Sequence, residues 1–107
     1  MDFVSMKTQI KNAGLDNIRT DNDDYLEAVI KRESIDNIIQ ALESVFGKPA
    51  WPSKDKLSSP VQKLVNDYGG LRKGQTLFSI NGDGVLVFAM LWPWQDGERI
   101  TLKMGKA

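Results

Sequence analysis

The chain has 107 residues, 41% of them hydrophobic and 26% charged, with a formal net charge of zero. A length of this order reads as one domain over residues 1–107, able to bury roughly two thirds of its unfolded surface without a metal or disulfide staple. These values exclude a disordered segment, and zero net charge argues against a dedicated nucleic-acid binder, which carries a basic footprint.

There is no cysteine and no histidine. Thiolate chemistry and a disulfide framework are therefore absent. Serine–histidine and cysteine–histidine catalysis within one chain are excluded, and so are the usual zinc ligands. Carboxylate-based enzymology stays formally open, but no acid–base pair can be placed. The reading leans away from an enzyme, and no cofactor or metal site is expected. The N-terminus lacks the apolar stretch of a signal peptide, and no run is long enough to span a bilayer. The expectation is a soluble, cytoplasmic protein.

In chain order, Phe3 to Ala13 reads as a short helix closed by Gly14. Residues 16–24 are polar and acidic and read as a loop. Asp21-Asn22-Asp23-Asp24 has the start of a calcium loop, but Tyr25 stands at a ligand position and Leu26 where glycine is required. Residues 25–31 read as a strand, because the alternative has a cost. A helix continuing through Ile35, Ile38, Ile39, Leu42, Val45 and Phe46 would be apolar on two opposite faces. A break at Glu33-Ser34 resolves the conflict, with Ser34 as the cap of a helix over 35–46 that ends at Gly47.

Lys48 to Ser58 reads as a linker that carries Trp51 between two prolines. Ser59-Pro60-Val61-Gln62 is a helix start, with serine as cap and proline at the first helical position. Val61, Leu64, Val65 and Tyr68 keep helical spacing, and Gly69-Gly70 ends it. The following Leu71-Arg72-Lys73-Gly74 lacks the Lys-Ser/Thr of a phosphate loop, and a strand rather than a helix follows. Arg72 and Lys73 remain candidates for holding an anion on free backbone amides.

Three strands then follow, over 76–80, 85–92 and 99–104. The middle run, Val85 to Trp92, has no polar residue and suits a strand covered on both faces. Asn81-Gly82-Asp83-Gly84 and Asp96-Gly97 carry hairpin turn chemistry. The fold class is thus α+β. An antiparallel sheet of three to four strands, the C-terminal meander plus the strand at 25–31, packs against two to three helices. Both firm helices are expected on one core face.

A two-residue Asp96-Gly97 loop sets Trp94 opposite Arg99, Trp92 opposite Thr101 and Leu91 opposite Leu102. A Gly82-Asp83 loop sets Phe78 opposite Val87. One face then carries Phe78, Ile80, Val85, Val87, Ala89, Leu91, Ile100, Leu102 and Met104. The other carries Leu77, Ser79, Leu86, Phe88, Met90, Trp92, Trp94, Arg99, Thr101 and Lys103.

The second face is the least ordinary feature, and three readings compete for it. It is a second small core under a helix, a protein–protein surface, or a stacking surface for bases or sugars. The expectation is a macromolecule-binding domain. Phe88, Met90, Trp92 and Trp94 make the contact, with Arg99 and Lys103 at its rim. The partner is another protein or a second copy in a homodimer, with nucleic acid disfavoured and no membrane involved. The alternative is a small-ligand or anion site near Arg72 and Lys73 and the loop ends.

Overall fold

A computed structural model describes residues 2–15, 17–51, 59–67, 74–82 and 84–106. The order is α1 (Phe3–Asn12), β1 (Asn17–Asp21), β2 (Tyr25–Lys31), a 3-10 turn (Arg32–Ser34), α2 (Ile35–Phe46), α3 (Ser59–Asp67), β3 (Thr76–Gly82), β4 (Val85–Pro93) and β5 (Arg99–Lys106). The strands form one antiparallel sheet in the order β1-β2-β5-β4-β3. The class is α+β, with five strands rather than three or four.

The extra strand is β1, in the stretch read as a loop. Its sequence Asn-Ile-Arg-Thr-Asp is exposed at all but one position, so it offers no apolar alternation to betray a strand. Its pairing with β2 is interrupted by an irregularity between Ile18 and Thr20. The Asn22 side chain builds the connecting turn, its Oδ1 accepting from the amides of Asp24 (2.9 Å) and Tyr25 (3.0 Å). The acidic run is therefore hairpin chemistry. Among the described residues no acidic cluster could hold a metal ion.

Helix α1 anchors this edge. Asp2 caps it, Oδ1 accepting from the Ser5 amide at 2.8 Å. Lys7 reaches Asp21 Oδ1 at 2.7 Å and the Asn22 carbonyl at 2.8 Å, and Lys11 reaches Asp21 Oδ2 at 2.6 Å. Hydrogen bonds from Lys11 and then Lys7 hold the Asp21 carboxyl below the usual carboxylate range. A depressed folded pKa stabilises above the unfolded carboxylate value, and the contribution is lost as pH falls through the folded value. Asp21→Asn should cost about 1–2 kcal/mol at neutral pH, since surface pairs alone give less and Lys7 is mostly buried. In urea titrations against pH, the gap between the two proteins should close on acidification below the ordinary carboxylate range. A gap that persists there would assign the loss to packing instead.

The break before α2 lies where expected, but Ser34 makes no side-chain cap. The 3-10 turn over Arg32–Ser34 leads into the helix instead. Helix α2 ends at Gly47, whose φ of 83° suits glycine.

The register keeps the expected parity at both hairpins although both loops differ from expectation. Trp92 faces Thr101 and Leu91 faces Leu102. The β4–β5 loop spans four residues, 95–98. The Trp94 carbonyl accepts from the Gly97 amide (3.3 Å), and the Trp94 amide donates to the Arg99 carbonyl (2.8 Å). In the β3–β4 hairpin Phe78 faces Ala89 and Gly82 faces Val85, a slip of two residues from the expected Gly82-Asp83 loop. Shifts of two preserve the faces.

The first face is the main core. Phe78, Val87, Ala89, Leu91, Ile100, Leu102 and Met104 pack there against Ile38, Leu42, Val45 and Phe46 of α2 and Phe3, Met6 and Ile10 of α1. Helix α3 does not join them. Its Val61, Leu64 and Val65 pack on Leu77, Phe88 and Met90 of the second face. The expectation of both firm helices on one face is thereby corrected. A strand as apolar as β4 has two faces to bury, and one layer of helices covers only one.

Candidate functional site

The second sheet face divides into a covered and an open half. Over β3 and β4, α3 closes a second core, with Leu86, Trp92, Ala50 and Trp51 against its edge. Trp51 seals the outer side of β3. Its carbonyl accepts from the Leu77 amide at 2.9 Å, and its own amide donates to the Leu77 carbonyl at 3.2 Å. Phe88 and Met90, expected as partner contacts, are 1% and 0% exposed beneath this helix. They support the surface and cannot touch a partner.

The other half, over β5, β2 and β1, is covered by no described helix. Trp94 lies there, half-buried. Its Nε1 donates to Thr101 Oγ1 at 2.7 Å, which fixes the indole across β5. The Arg99 guanidinium sits 4.8 Å from the ring centroid and that of Arg19 5.9 Å. Both distances lie within cation–π reach. Trp92, at the boundary with the second core, carries the Lys103 ammonium 4.1 Å from its ring. Among the described residues its buried Nε1 has no acceptor.

The hairpin turn orients Arg99. Asp96 Oδ1 accepts from the amides of Glu98 (2.9 Å) and Arg99 (3.1 Å), and Oδ2 accepts from Arg99 Nε at 3.1 Å. The Glu98 amide, then the contacts to Arg99, hold the Asp96 carboxyl below its usual range. Asp96 thus stays charged at neutral pH and keeps the guanidinium on the indole.

At the strand ends lies an open hollow of about 500 Å³, lined by Asn17, Val29, Lys31, Arg32, Glu33, Glu98 and Arg99. Arg32, one of the lining residues, ties this hollow to the hairpin, its Nη1 donating to the Gly97 carbonyl at 3.1 Å.

Of the residues expected at the site, Trp92, Trp94, Arg99 and Lys103 share this open surface. Arg72 and Lys73, the expected anion site, lie outside the described residues. Arg19, Asn17 and Lys31 join the site without having been anticipated. Asn17 and Arg19 could not have been found by periodicity, because β1 shows none, and Lys31 reaches the site through the pairing of β2 with β5, which the pattern of its own strand does not give. Among the described residues no helix is long and apolar enough to cross a membrane. Comparison with protein-family models, curated proteins and solved structures finds no match.

Proposed function

We propose that the chain is a protein-binding module whose contact surface is the open half of the second sheet face, centred on Trp94. One observation carries this reading: a half-buried indole has two guanidinium groups within cation–π reach, 4.8 and 5.9 Å from its ring centroid, where no described helix covers the sheet. Tryptophan and arginine are the side chains that dominate interface energetics, and fixed anchors lose less entropy on binding. The Thr101 hydroxyl and Asp96 carboxylate provide that fixing. The contact comprises Arg19, Trp94, Arg99 and Lys103, with Trp92 at its boundary and the hollow ready to take a partner side chain.

Trp94→Ala separates contact from core. The indole gives up one hydrogen bond and two cation–π contacts at a partly exposed site, so the expected stability loss is about 1–2 kcal/mol. Partner recovery should fall sharply. The measurement pairs urea unfolding with affinity capture from the native cell, wild type against variant. Light scattering over a concentration series identifies a second copy as the partner. Unchanged capture by a folded Trp94→Ala protein would reject this surface.

A further inference from the structure

The open face carries a sign of charge that the whole chain does not. Arg19, Arg99 and Lys103 are placed on it by their stacking on Trp94 and Trp92. Lys31 is placed there by its pairing with Arg99 and by the hollow the two share. Glu27, opposite Lys103 in the register, is one acid among them, and its Oε1 already accepts from the Tyr25 hydroxyl at 2.8 Å. Arg99 is paired with Asp96. Arg19, Lys31 and Lys103 have no carboxylate partner among the described residues. Glu33 and Glu98 line the same hollow as Lys31 and Arg99, together with Arg32, so the face counted with its rim holds five cations (Arg19, Lys31, Arg32, Arg99 and Lys103) against four acids (Glu27, Glu33, Asp96 and Glu98). A neutral protein has therefore gathered four cations, two of them guanidiniums oriented by one indole, on a single sheet face.

From this charge complementarity we infer that the partner is an acidic protein segment, whose aspartate or glutamate side chains bridge Arg19 and Arg99 across the Trp94 ring. The inference rests on the protein-binding reading above and names the chemistry of its partner. Guanidinium groups present paired donors that match a carboxylate, and their orientation is already set by the ring beneath them. Lys31 and Lys103 flank the pair and draw acidic partners in over longer range. Nucleic acid offers anions too, but a neutral chain lacks the broad basic footprint that phosphate backbones need.

The test titrates the full chain with a glutamate-rich peptide, a lysine-rich peptide of the same length and a single-stranded oligonucleotide. Backbone amide NMR shifts are read at low and at physiological salt. The glutamate peptide should shift amides of β1, β2 and β5 and weaken as salt rises. Arg19→Glu and Arg99→Glu should each weaken it by roughly tenfold, as loss of a charge-assisted contact at an interface does. Lys48→Glu, an exposed change in the loop after α2, should leave it nearly unaltered. Absent binding of the glutamate peptide at low salt, a preference for either other probe, or indifference to both arginine reversals would overturn the inference. If Trp94→Ala still abolishes capture while the glutamate peptide fails, the surface stands and its acidic partner does not. If capture survives Trp94→Ala, both readings fall.

Discussion

Phe88→Ala should destabilise the protein by about 3–5 kcal/mol, the range for truncating a fully buried aromatic side chain. The ring is 1% exposed and sits at the centre of the second core, between the sheet and the Val61, Leu64 and Val65 stripe of α3. Its loss leaves a void that a rigid sheet on one side cannot fill. Helix α3 has nine residues, too few to be stable alone, so it depends on that packing. The variant should therefore also lose helical signal before the main transition, because the main core on the opposite face is untouched. Urea unfolding followed by circular dichroism and by tryptophan fluorescence reads both effects. A loss below about 1 kcal/mol would mean that α3 contributes little cover, and Phe88 would return to the list of surface contacts.

The same residue shows how far the sequence could be read. An eight-residue run without a polar side chain announces a strand buried on both faces, and β4 is such a strand. Even-length loops at both hairpins sort the side chains to their faces whichever turn residues close them, so the main core was legible from Phe78 to Met104. The side on which α3 lies was not. Val61, Leu64 and Val65 mark a buried stripe, but a stripe does not say which sheet face it meets. Whether Phe88 and Met90 belong to a core or to a docking surface turned on that choice alone. The open half of the site was hidden differently. Arg19 belongs to a strand recognisable by its hydrogen bonds rather than its pattern, and it reaches Trp94 across 74 intervening residues of sequence.

Gly105→Val should cost about 1–3 kcal/mol, or more, although valine suits a strand far better than glycine does. Gly105 lies in β5, the central strand, opposite Tyr25 on one side and Phe88 on the other. A Cβ built there would stand 2.9 Å from Phe88 Cε1, 3.1 Å from Phe88 Cζ and 3.2 Å from Tyr25 Cδ1. The glycine is thus kept by side-chain crowding, with the two flanking aromatics filling the space above its backbone. Phe88 cannot swing aside, because α3 closes over it. Intrinsic propensity and packing therefore pull in opposite directions, and packing dominates because the nearest ring atom stands at 2.9 Å. The two substitutions should also be strongly non-additive. In a Phe88→Ala background the obstructing ring is gone, and the new Cβ fills part of the vacated space. Gly105→Ala should there be neutral or stabilising, while in the wild type it destabilises. A double-mutant cycle from urea unfolding gives the coupling directly. Additive losses would show that the ring does not rest on Gly105, and that the second core is packed some other way.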